Sequence, residues 1–63
     1  MVRHMFKAFE NRESAKRFVS QNGGRLLDPM HSKDDRIEYM TVKECHDVNT
    51  ARYPCIVVWN EFD

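Results

Sequence analysis

Apolar and polar residues follow two rhythms along this chain. From Arg3 to Phe9 apolar and basic residues alternate with a rough period of two, which suits a strand. From Arg12 to Asn22 the period lengthens: Ala15, Phe18, Val19 and Asn22 share one helical face at i, i+3, i+4 and i+7. Asn11 is a good N-cap for that helix, Glu13 precedes Arg17 by one turn, and Gly23 or Gly24 supplies a left-handed C-cap. Arg25 to Asp28 then form a short strand around Leu26 and Leu27. Asp28-Pro29 opens a polar turn that runs to Asp35. Arg36 to Glu44 alternate again, with Ile37, Tyr39 and Thr41 on one side and Glu38, Met40 and Val42 on the other, which predicts a third strand. His46 to Tyr53 form a loop. Tyr53 to Trp59 give the strongest strand pattern, ending near Phe62.

That last strand is apolar on both sides. Cys55, Val57 and Trp59 point one way, and Ile56 and Val58 the other. A strand of this kind is interior and covered on both faces. The expected fold is therefore α+β: a single helix packed on one face of a three- to four-stranded sheet, in the order β-α-β-β-β. A right-handed crossover is expected to pair the first two strands in parallel. One helix covers only one face, so loops, a second copy of the chain or another protein must cover the second.

Size sharpens this expectation. Residues 1–63 are one small domain at most, and 41% apolar content is enough for one core. So small a core leaves a few kcal/mol of net stability, and self-association as a homodimer is expected to add to it. The longest apolar run, Cys55 to Trp59, is far too short to cross a membrane, and Met1 to His4 lead into no secretory h-region. Two cysteines are too few for a disulfide scaffold, so a cytoplasmic protein with reduced thiols is expected. The net charge is zero, yet residues 1–25 carry a net +4 and residues 26–63 a net −4. Such a dipolar chain either offers a basic face to an acidic partner or neutralises itself within the fold.

Few residues suggest chemistry. Cys45, His46 and Cys55, with His31 or His4, are zinc-ligand types, but they lack the short paired spacing of a zinc knuckle. Cys45 beside His46 juxtaposes thiol and base in sequence, without a third residue to orient them. No nucleotide-binding or metalloprotease motif is present, and Gly23-Gly24 lies at the wrong helix end to hold phosphate. No catalytic residue, cofactor or metal site is expected. The expected function is non-catalytic protein binding, as an accessory or inhibitory protein, through itself or another protein. Tyr53, Tyr39 and Trp59 are the candidate anchors, since partly exposed aromatics dominate interface energetics. The alternative is nucleic-acid binding through the basic helix face, with Arg12, Lys16 and Arg17 on phosphates. The acidic second half of the chain and the lack of an RNA-binding aromatic motif weigh against that alternative.

Overall fold

A computed structural model describes residues 1–62. Alternation of side chains between two buried layers builds the first strand, β1 (Val2–Phe9). Asn11 then breaks the extended backbone and caps the first helix, α1 (Arg12–Asn22): its side-chain oxygen accepts from the Ser14 N–H at 2.8 Å. Glu13 in the first turn suits the helix dipole. The helix ends at Gly23, at φ +78°, whose N–H donates to the Val19 carbonyl at 2.8 Å. Gly24 follows at φ +108°, and a Cβ there would meet Val57 Cγ1 at 3.0 Å and the Val58 carbonyl oxygen at 3.1 Å. Only glycine lets the chain turn this close to the sheet. The second strand, β2, is short (Arg25–Leu27).

Residues Lys33–His46 form a second helix, α2, and not the strand that the alternation of Arg36 to Glu44 implied. The order is thus β-α-β-α-β, closing with β3 (Cys55–Phe62), and two helices replace the expected one. The physical reason lies in which residues face inward. Asp35, Glu38, Tyr39, Val42 and Lys43 are the partly or fully buried positions after Ser32, spaced as a helical stripe. Only two of the five are apolar. Ile37, by contrast, is 77% exposed. Period-two hydropathy was therefore set in part by residues that do not face the core, Ile37, Met40 and Thr41. The helix signals were of another kind: Asp34 and Asp35 in the first turn, Lys43 and His46 in the last. Asp47, left-handed at φ 53°, ends the helix with its N–H on the Lys43 carbonyl.

Asp28 hands the chain from β2 to α2. Its carbonyl accepts from the N–H groups of His31 and Ser32 at 3.1 and 3.0 Å, and its Oδ1 accepts from the Met30 N–H at 3.2 Å. Asp35 reaches back to accept the Asp28 N–H at 3.2 Å. Asp28 is only 4% exposed, and Arg12 Nε lies 3.0 Å from its Oδ2. That geometry is too poorly aligned for a hydrogen bond, so Oδ2 keeps a charge partner without a hydrogen-bond donor.

The sheet has three strands in the order β1-β3-β2. Both outer strands run antiparallel to β3, from Val2↔Phe62 to Phe9↔Cys55 on one side and Arg25↔Val58 to Leu27↔Ile56 on the other. β1 and β2 are parallel, as a crossover through α1 requires, but β3 is inserted between them. They do not pair directly, which corrects the expected adjacency. The doubly apolar β3 is thus interior. On one face Ala15 of α1 packs with Cys55 and Val57, flanked by Phe9, Phe18, Val19, Leu26 and Trp59. On the other Tyr39 of α2 packs with Leu27 and Ile56, flanked by Phe6, Ala8, Val42, Val48 and Val58. The second face is covered by the chain's own second helix. Among the described residues α2 supplies the cover that had been expected from loops, a second copy or another protein. Among the described residues no helix is long and apolar enough to cross a membrane.

Candidate functional site

The two edges of the sheet differ. β2 offers three residues at its outer edge, whereas β1 offers eight, with no strand partner there among the described residues. Alternation assigns Arg3, Met5, Lys7 and Phe9 to the α1 face and Val2, His4, Phe6 and Ala8 to the α2 face. Lys7 Nζ sits 5.5 Å from the ring centroids of both Phe9 and Phe18, which confirms its side of the sheet. Arg3 lies opposite Glu61 in the β1–β3 register. No acidic residue occurs within β1. On α1, Phe18 leans toward β1, with its ring 5.4 Å from that of Phe9. Arg17, one helical step from Phe18, is exposed on the side of α1 turned away from the sheet.

A groove of about 750 Å³ opens on the α2 face, where the β1–β3 ribbon runs past the end of β2. Phe6 and Val58 contribute to its floor, and Glu38, Val42 and His46 of α2 to its wall. The His46 ring lies against Phe6 at 4.3 Å between centroids. His4 Nδ1 and Asn60 Oδ1 are hydrogen-bonded at 2.8 Å, and Arg25 pairs with Glu38 at the rim. Beyond the groove the ribbon carries Val2 and Phe62, the latter 77% exposed.

Sequence candidates fall in separate places. Tyr39 is 1% exposed, and its hydroxyl donates to the Tyr53 carbonyl at 2.6 Å. It is a core residue whose ring is not available to a partner, which corrects its assignment as an anchor. Tyr53 is half-buried, with the Arg52 guanidinium 5.3 Å from its ring centroid. Trp59 is also half-buried, packed on Phe18 at 5.3 Å, and its Nε1–H donates to Glu61 at 3.3 Å. Arg12 is committed to Asp28. Lys16 and Arg17 are exposed on α1. The structure does not gather the three aromatics into one patch, and it separates Arg12 from a free basic face.

Sequence reasoning did not place Lys7, Phe6 and His4 on a sheet edge, and His4 entered only as a zinc-ligand type. A usable signal existed: the most apolar strand comes last and must be central, which leaves an amphipathic first strand for an edge.

The cysteines lie on different layers. Cys55 is buried against α1, while Cys45 is exposed on α2 across the sheet. Burial pushes the Cys55 thiol above its ordinary value of 9.0, the Asp28 charge pushes the same way, and Arg12 partly opposes them. A thiol so held is a poor nucleophile at neutral pH. Among the described residues no group of three or more His, Cys, Asp or Glu side chains is poised to hold a metal ion. Compared with family models, curated proteins and solved structures, the chain matches none.

Proposed function

We propose that this chain is a small non-catalytic protein-binding module that adds a strand of a partner to its sheet along the outer edge of β1. The observation that carries the reading is the length of that edge. Eight residues of β1 pair on one side only, and a row of unpaired backbone donors and acceptors is a template for another extended chain. On the α2 face a strand added there would lie beside Phe6 and Ala8, half-buried apolar positions of β1 that its side chains can cover.

Panning a library of short linear peptides against isotopically labelled protein tests this. Bound peptides should perturb the amides of Val2–Phe9 and slow their exchange with solvent. Binders that leave β1 unperturbed and map elsewhere would overturn the reading. The nucleic-acid alternative rests on Lys16 and Arg17, exposed on α1. It requires oligonucleotide binding that weakens steeply with salt and vanishes in the Lys16→Glu/Arg17→Glu variant. Arg12 counts against it, since its guanidinium already serves Asp28.

A further inference from the structure

We infer that the strand received by β1 is an acidic, extended segment of a different protein, and not a second copy of this chain. This inference rests on the reading of β1 as a docking edge. A strand laid beside β1 places its side chains about 4.5–5.5 Å from those of its neighbours on the same face. On the α1 face those neighbours are Arg3, Met5, Lys7 and Phe9. Lys7 lies against the rings of Phe9 and Phe18, and no carboxylate pairs with it among the described residues. Glu10, just past the strand, is already taken by Arg52 at 3.2 Å. A carboxylate on the incoming strand would therefore meet uncompensated positive charge. On the α2 face the neighbours are His4, Phe6 and Ala8, the last two half-buried, which favours apolar side chains there. The ligand so described alternates acidic and apolar residues.

The same charges reject a second copy. Antiparallel pairing of two β1 edges across a two-fold axis keeps odd residues facing odd residues. Lys7 of each copy would then stand on the same face of the joined strands, where neither β1 carries a carboxylate. Like charges on neighbouring strands destabilise the pairing. Lysine on an edge strand is a common guard against self-pairing. Here that guard and the selection of an acidic partner have one cause: attraction to one ligand and repulsion of another both contribute to specificity.

Three synthetic peptides test this, each alternating valine with a variable residue: glutamate, glutamine or lysine. They are titrated into labelled protein while the Val2–Phe9 amides are followed, and the solution mass of the protein alone is measured. The glutamate peptide should bind at β1 and weaken as salt rises. The lysine peptide should bind at least about tenfold less tightly. Lys7→Glu should invert the preference toward the lysine peptide, an outcome that unfolding cannot mimic. If all three peptides bind β1 equally, the edge stands and the charge selection is wrong. If no peptide perturbs β1, the docking edge itself fails and the inference fails with it. A dimer in solution with the β1 amides protected before any peptide is added would overturn the inference in favour of a second copy.

Discussion

Each helix buries one residue fully: on the α1 face Ala15 packs on Cys55 and Val57 with Phe18 and Val19 of the same helix beside it, whereas on the α2 face Tyr39 packs on Leu27 and Ile56 with Val42 beside it. Phe18 links Phe9 and Trp59 across the first face at 5.4 and 5.3 Å between ring centroids. Polar ties do more of the work on the second: the Tyr39 hydroxyl on the Tyr53 carbonyl, Asp35 on the Asp28 N–H, and the Arg25–Glu38 pair. Exposed ion pairs contribute little, typically about 0–1 kcal/mol. Helix α2 should thus be the more weakly held layer, and the groove opens on its side. One sheet carries a face sealed by aromatic packing and a face with an open groove.

Tyr39→Ala is the strongest way to break this comparison. It removes the one buried side chain of α2 and should cost about 3–5 kcal/mol. In a domain of this size that is enough to unfold it or to free α2 from the sheet. Circular dichroism separates the cases. Loss of part of the helical signal with a persisting sheet shows that the faces come apart. Unchanged thermal stability would mean that Tyr39 does not hold α2.

Arg12→Ala probes the link between the faces, because it joins α1 to the loop that leads into α2. It leaves the buried Asp28 carboxylate with the His31 ring, Nε2 at 3.9 Å, as its remaining basic neighbour among the described residues. The expected cost is about 1–3 kcal/mol. Adding Asp28→Asn should recover part of it in denaturant titrations, since the uncompensated charge is then gone. A double variant no better than Arg12→Ala would show that packing, not charge, was lost.

Tyr39→Phe is subtler. It keeps the ring and deletes the 2.6 Å hydrogen bond to Tyr53, for an expected loss of about 1 kcal/mol. Hydrogen exchange should then quicken in α2 while α1 stays as protected as before. Equal quickening in both helices would mean that the layers open together.

The smallest expected effect concerns Cys55. Its folded-state value lies above the ordinary 9.0, so its contribution to stability is fully present below pH 9. As pH rises further the unfolded chain loses the proton first, and the contribution is lost as pH passes through the folded value. Denaturation at stepped alkaline pH should show this decline, absent in Cys55→Ala. At neutral pH an alkylating reagent should modify exposed Cys45 long before Cys55. Equal rates would place Cys55 outside the sealed face.

Local signals in the sequence determined much of this architecture. The extent of α1, its Asn11 cap, its Gly23 end, and the double-sided apolar character of the last strand could all be read before any fold was known, because each depends on neighbours within a few residues. The α+β class follows from them. Helix α2 was misread because its inward stripe is mostly polar: Asp35, Glu38 and Lys43 sit beside Tyr39 and Val42, while Ile37 and Met40 face water. What makes those polar residues inward-facing is the chain they pack against, and no local period records that. Tertiary structure alone decided that β3 enters between β1 and β2, that Tyr39 belongs to the core, and that Arg12 answers to Asp28. It also decided that the long open edge is β1. Strand order depends on pairings such as Met5↔Trp59, between residues at opposite ends of the chain, and the free energy that selects them comes from burying both faces of β3 at once.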